Sequence, residues 1–516
     1  MYKVLSVIMY AVRRDSGRLC LLMVTLLLCI AGSATADVQL PNIFSDSMVL
    51  QRGRTNRVWG RADAGENVAV TIGEQSHETV ADDDGHWHVM LSPMSVGDPL
   101  ILTVKGNNEV TFGDVLVGEV WICSGQSNMQ WRVNRSSDED LERAAANFPR
   151  IRMINFPQVG AQEPIWTHEG HAWIVCSPET VGPFSAVGYF FGRQIHQTID
   201  VPVGLINNAW GGSACEAWID RDLLEADSDY GPMLQRWEEM KKSCEALQAQ
   251  PTLTEEKKEK LARIQRQLSG NHHPSNIYNG VLKSHLGYGI RGAIWYQGES
   301  NAGRAYQYRK LFPLMISSWR DEWGQDEFPF YWVQLADFRS ERVEPGDSTW
   351  AELREAQTMV MDKLANTGEA VIIGTGEAYD IHPKNKQTVG RRLARWALSR
   401  EYGVDIPCQS PRYKSMERSG DTITLTFDHV GTGWRPFDVR EPRGFTIAGE
   451  EKRFFHADAK ILGDGRIAVS SPMVAVPVSV RYGWADNPVV NMFNNSDLPL
   501  TPFRTDDWPG ITVDEK

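Results

Sequence analysis

Between residues 38 and 115 apolar and polar positions alternate in short runs, as in Val68-Ala69-Val70-Thr71-Ile72, Trp87-His88-Val89-Met90-Leu91 and Leu100-Ile101-Leu102-Thr103-Val104. Turn sequences such as Asp82-Asp83-Asp84-Gly85 and Gly106-Asn107-Asn108 separate them. A period of two with frequent turns predicts antiparallel strands, here a sandwich-like N-terminal β module over residues 37–114. After Gly118 continuous apolar runs take over: Val120-Trp121-Ile122-Cys123, Val203-Gly204-Leu205-Ile206, Ala293-Ile294-Trp295-Tyr296, Phe330-Tyr331-Trp332-Val333 and Val371-Ile372-Ile373-Gly374. Helical periodicity fills the spaces at 186–197, 306–320, 350–364 and 388–401. Strands alternating with helices predict a parallel sheet covered on both faces, an α/β domain over residues 115–404. The charged stretch 234–268, broken at Pro251, predicts an inserted helical hairpin, read as a solvated decoration far from the chemistry. From about Cys408 short alternating runs return, as in Thr422-Ile423-Thr424-Leu425-Thr426-Phe427 and Val478-Ser479-Val480-Arg481-Tyr482, and predict a C-terminal β module over 405–516.

The first 36 residues have a different texture. Arg13, Arg14 and Arg18 precede an apolar run from Leu19 to Ile30 and the small residues Ala31 to Ala36, which predicts a signal peptide cut near Ala36 and a secreted or periplasmic protein. The run is shorter than the ~20 residues a spanning helix needs. Cys29 follows three leucines rather than a small residue, an unfavourable setting for lipid attachment. The formal charge of −13 repels phosphate backbones and anionic lipid, which sets nucleic acid aside as a partner. The cysteines beyond the leader (Cys123, Cys176, Cys215, Cys244 and Cys408) are an odd, sparse set without a CxxC pair, so neither a disulfide framework nor a zinc ribbon is expected. His86 and His88 share a strand face, but with no third ligand at a sequence-evident spacing they read as a solvated surface, and no metal or cofactor is expected.

In a parallel sheet ligands bind beyond the carboxyl ends of the strands, so the loops there carry the candidate chemistry. Ser124-Gly125-Gln126-Ser127-Asn128-Met129 puts a serine on a tight strand-to-helix turn, either as a nucleophile or as an N-cap. Asn207-Asn208-Ala209-Trp210-Gly211-Gly212-Ser213 offers backbone amides at Gly211 and Gly212 for an oxyanion hole. Trp295-Tyr296-Gln297-Gly298-Glu299-Ser300-Asn301 delivers Gln297 as an amide donor and Glu299 as a carboxylate. Asp380-Ile381-His382-Pro383 supplies a base, His382, with Asp380 two residues before it to orient the ring.

These motifs together, with Lys386 and Gly390 after the histidine, resemble the sialate O-acetylesterase family within the SGNH hydrolases. Tyr482-Gly483-Trp484-Ala485-Asp486-Asn487-Pro488, Leu498-Pro499 and Pro502-Phe503-Arg504 are similar to that family's last segment, so the resemblance runs from about Leu40 to Asp507. It implies a three-layer α/β hydrolase domain flanked by β modules, with Ser127 as nucleophile and His382 as base. The acid and histidine stand as Asp-x-His rather than the Asp-x-x-His of many SGNH enzymes, which leaves Asp380, Glu299 and a backbone carbonyl as candidates for the third role. The implied activity is hydrolysis of O-acetyl esters on a carbohydrate, sialic acid first and acetylxylan or another acetylated polysaccharide second; Arg304 or Lys386 would meet a sialate carboxylate. A glycan-binding protein without catalytic activity is the alternative from another class. Asn134-Arg135-Ser136 and Asn494-Asn495-Ser496 are glycosylation acceptors in a host that glycosylates.

Overall fold

The computed structural model describes residues 37–516; the expected leader, Cys29 and the cleavage site near Ala36 lie outside the described residues. Four of the five apolar runs form neighbouring strands of one sheet, because a strand buried on both faces needs side chains that no water will solvate. The order across the sheet is Thr367–Ala370, Phe330–Val333, Gly292–Tyr296, Glu109–Gly125, Val203–Asn207, Phe148–Asn155 and Ile174–Cys176. All neighbours are parallel except the last pair. Alternate residues of the central strand enter separate apolar cores: Val120 and Ile122 on one side, Trp121 and Cys123 on the other. Helices Ala186–Ile199 and Lys386–Arg400 cover the second core, where a Cβ on Gly390 would lie 2.6 Å from Phe190 Cβ, so this helix crossing depends on glycine. Helices Ala305–Trp323 and Thr349–Thr358 line the first.

The chain builds outward from Glu109–Gly125 to one side and then to the other. That strand's carboxyl end is therefore a topological switch point, where a crevice opens between diverging loops. Ser127 follows after one residue, Gln126.

Two expectations change, and one boundary falls inside an element. Val371, Ile372 and Ile373 are buried but are not part of a ladder strand, and Gly374 is exposed: the edge strand is Thr367–Ala370, and pairing stops because its neighbour ends at Val333. The expected boundary at 114/115 lies within a single strand, Glu109–Gly125. Its first part pairs antiparallel with Leu100–Lys105, and its second part belongs to the central sheet. The insertion is a hairpin of helices Gly231–Gln248 and Glu255–Leu268 with a small core of Cys244, Leu247 and Ile264. It is not remote: immediately after it, Asn271 Nδ2 donates to the Gly211 carbonyl (2.5 Å) and the His272 ring bonds the Gly212 carbonyl (2.6 Å).

The C-terminal residues form two four-stranded antiparallel sheets around their own core. Fully buried Arg354 ties them to the α/β part by donating to the Ala485 and Asp486 carbonyls (2.7 and 2.9 Å) as well as to those of Leu335 and Ala336. Cys123, Cys176, Cys215, Cys244 and Cys408 are buried free thiols. Asn494 is buried with its side chain spent on the His429, Ser496 and Leu498 backbones, which closes it to glycosylation in the folded chain, whereas Asn134 is exposed. Among the described residues no helix is long and apolar enough to cross a membrane.

Candidate active site

The serine turn is built by one glycine and one glutamine. Gly125 has φ +126°, and a Cβ there would lie 2.3 Å from the Tyr296 carbonyl oxygen, so only glycine lets the strand end this close to its neighbour. Gln126 then donates its amide to the Tyr296 carbonyl (2.9 Å), while its side-chain oxygen accepts from the amides of Gly298 (3.1 Å) and Ser300 (3.5 Å). Ser127 opens the short helix Ser127–Gln130, half-buried, its hydroxyl without a protein partner among the described residues.

The second loop closes against it. Trp210 donates its amide to the Gly125 carbonyl (3.0 Å), and a Cβ on Gly211 would lie 3.3 Å from Ser127 Cβ. The Gly211 amide donates to Gln130 Oε1 (2.8 Å), so it is committed. Gly212, at φ +75°, keeps an amide without a protein acceptor among the described residues, and its carbonyl accepts from Ser300 Oγ (2.8 Å).

The oxyanion role expected of Gln297 does not fit its position. The side chain is fully buried, both amide hydrogens are spent on Ser213 O (3.0 Å) and Asn301 Oδ1 (2.6 Å), and its oxygen accepts from Tyr308 Oη (2.8 Å). It bolts the second loop to the third and has no hydrogen left for a ligand.

His382 and Asp380 lie on a single turn. Asp380 Oδ1 accepts from the His382 amide (2.9 Å) and lies 3.3 Å from its Nδ1, which favours the tautomer with Nδ1 protonated and Nε2 free. Burial lowers the imidazole's pKa, against the upward pull of Asp380, so the ring is a neutral base near pH 7. One face stacks on Trp131 at 4.9 Å and 15°.

Asn128, beside Ser127, joins the two halves: its Nδ2 donates to the Ile381 carbonyl (3.0 Å), next to His382, and to Glu299 Oε1 (2.7 Å). Its Oδ1 accepts from the buried Lys386 ammonium (2.5 Å), which also faces the Trp131 and Tyr296 rings at 5.8 and 5.5 Å. Burial raises the pKa of Glu299 and lowers that of Lys386 to about 7. Glu299 is thus engaged by Asn128 rather than by the imidazole, and Asp380 is the carboxylate on the ring. Lys386 and Arg304 do not present a free cation to a substrate: Lys386 is sealed beneath the serine turn, and Arg304 pairs with buried Glu216 and Gln307. The bracing roles of Gln126, Asn128, Gln130 and Trp131 were not assigned from sequence; the one local signal was their crowding around Ser127.

A serine turn at a switch point, tied through Asn128 to the turn that carries an imidazole and its carboxylate, is an arrangement suited to ester hydrolysis at the rim of an open α/β sheet. The comparisons make this specific. A family model described as carbohydrate esterase, sialic acid-specific acetylesterase, matches residues 117–250 and 264–399, and the chain belongs to that family. The sialate O-acetylesterase of Mus musculus is 28% identical over 537 residues, covering 92% of this chain and 95% of the mouse protein. That of Homo sapiens is 29% identical over 422 residues, 74% of each. The crystal structure of a carbohydrate acetylesterase from Xanthomonas citri superposes with a TM-score of 0.79 at 36% identity, covering 92% of this chain and all of that one. The protein is accordingly a carboxylic ester hydrolase of the carbohydrate esterase class.

Proposed function

We propose that the chain removes O-acetyl groups from sialic acid, by way of an acyl-enzyme on Ser127, in a three-layer α/β domain lying at about 115–404 between β modules at about 37–114 and 405–516. His382 Nε2 takes the hydroxyl proton as Ser127 Oγ attacks the acetyl carbonyl. Asp380 holds the imidazolium through Nδ1, and the amides of Ser127 and Gly212 face the oxyanion, the Gly211 amide being held by Gln130. The proton passes to the departing sugar oxygen. A water then delivers its proton to His382 and its hydroxide to the acetyl carbon, releasing acetate and restoring the serine. The leader implies that this chemistry takes place outside the cytosol.

The observation that carries this reading is the link Asn128 makes: the residue beside Ser127 bonds the carbonyl beside His382, across 253 positions of sequence. Ser127→Ala should abolish acetate release from a generic acetyl ester while thermal unfolding is unchanged; undiminished release rejects the nucleophile, and failure of a fluorophosphonate to label Ser127 in the folded wild type points to a glycan-binding role instead. Acetate release from O-acetyl sialic acid is then compared with release from acetylated xylan at matched concentration. Faster release from the sialic acid supports the substrate, and equal rates or preference for xylan reject it.

A further inference from the structure

Beside the Gly211–Gly212 turn lies an open cavity of about 570 Å³, formed between the inserted hairpin and the rim. Arg236 and Trp237 from the first helix, and Arg263 and Arg266 from the second, line it; Asn271 and His272, which bond the two glycine carbonyls, line the side toward the serine. Buried Glu216 contributes the acidic group there, and Arg304 already neutralises it. Arg236, Arg263 and Arg266 are exposed, and none has an ion-pair partner among the described residues. The second helix carries Glu255, Glu256 and Glu259, and Lys258 pairs with Glu255 at 2.8 Å, so carboxylates were at hand and the three arginines remain unmatched. Three unpaired guanidiniums converging from two helices, with an indole among them, make a receptor for a carboxylate carried on a ring with an apolar face.

We infer that this arginine-lined cavity is the subsite that reads the carboxylate of an acidic sugar while its acetyl ester lies at Ser127, an inference that rests on the esterase reading above. The hairpin becomes the specificity element of the enzyme, and the carboxylate belongs either to the acetylated sugar itself or to an acidic sugar next to it in the glycan.

The test joins kinetics to direct binding. In the otherwise wild-type enzyme, the triple variant R236Q/R263Q/R266Q should lower the ratio of kcat/KM for O-acetyl sialic acid over that for its carboxyl methyl ester at least tenfold, mainly through KM. An unchanged ratio rules out the carboxylate of the acetylated sugar itself, and together with no carboxylate-dependent binding of the disialoside below it overturns the inference. In protein carrying Ser127→Ala, calorimetric titration with N-acetylneuraminic acid and with an α2,8-linked disialoside should show tighter binding than with their methyl esters, and the triple variant should erase the difference. A difference for the monosaccharide assigns the carboxylate to the acetylated sugar, and one for the disialoside alone assigns it to the neighbour. No difference for either overturns the subsite. Because the titration needs no turnover, failure of Ser127 as nucleophile would appear as residual esterase activity in Ser127→Ala with carboxylate-dependent binding intact, which separates the two claims.

Discussion

Replacing Asp380 with alanine tests which carboxylate serves His382, and the structure sets the size of the effect. A hydrogen bond to a charged partner contributes about 1.5–3 kcal/mol, and Asp380 is bonded to an imidazole that becomes cationic in the transition state. The Asp380 side chain is 41% exposed and the ring 26%, so water screens the interaction and the lower end applies. That corresponds to a loss in kcat/KM of roughly 10- to 30-fold, far below the ~10,000-fold cost of disabling a fully buried triad aspartate. The sign of the pH effect is fixed too. Asp380 raises the imidazole's pKa, so without it the acid limb of the kcat/KM profile, which reports the free enzyme's base, moves to lower pH. Glu299→Gln removes the competing carboxylate, and because Glu299 Oε1 receives Asn128 rather than the ring, the imidazole loses no hydrogen bond. The assay is hydrolysis of a chromogenic acetyl ester from pH 5 to 9 for wild type and both variants. If Asp380→Ala keeps the wild-type rate and acid limb, or if Glu299→Gln alone shifts that limb downward, the assignment of Asp380 is wrong.

Other outcomes follow from the packing. Gly211→Ala places a methyl 2.8 Å from Gln130 Oε1 and 3.3 Å from Ser127 Cβ, and should cut kcat at least tenfold with little change in Tm, checked by paired kinetics and thermal melts. Lys386 titrates near 7 in the folded chain against 10.5 ordinarily, so between those values the unfolded chain binds the extra proton and stability rises with pH; below about 7 that contribution is gone. Lys386→Met should flatten this part of a Tm-against-pH curve and raise the acid limb of activity, since the ammonium lowers the His382 pKa. Gln297→Ala leaves the Ser213 carbonyl and the Tyr308 hydroxyl without their buried partner and should cost about 2–4 kcal/mol in urea unfolding.

The sheet was legible where burial is written into the strand itself. Phe330–Val333 and Gly292–Tyr296 are apolar at every position because both faces are covered. The edge strand escaped because its sequence, Thr367-Gly368-Glu369-Ala370, is polar, yet each residue answers a neighbour. Gly368 makes room for the Trp396 ring, 2.4 Å from where a Cβ would stand, and buried Glu369 accepts from Trp332 Nε1 and from Thr358 Oγ1. The apolar Val371 to Ile373 that drew attention instead is core beyond the end of the ladder. In the site, the loops were legible from glycine and strand ends, but side-chain commitments were not. Gln297 follows its strand as a potential donor would, and only the positions of Ser213 and Asn301 show that its hydrogens are spent. Lys386 offered a cation to the substrate on paper; its partner is Asn128, 258 positions away.

These commitments share a cause. Where parallel strands stop pairing, their last amides and carbonyls enter a crevice, and any that are buried require partners. Gln126 satisfies two amides of the third loop, Gln130 one of the second, Gln297 a carbonyl of the second, and Asn128 a carbonyl beside the histidine. Neutral amide side chains suit this task because each offers both a donor and an acceptor without the desolvation cost of a buried charge. The bracing of the nucleophile thus comes from satisfying the backbone, so mutating these amides should reduce stability and turnover together. The hairpin arginines satisfy no buried backbone group, and Asp380, 41% exposed, holds only the half-buried His382 amide, so mutating them should change chemistry or specificity with little loss of stability. That division follows from burial alone and does not depend on which sugar the enzyme takes.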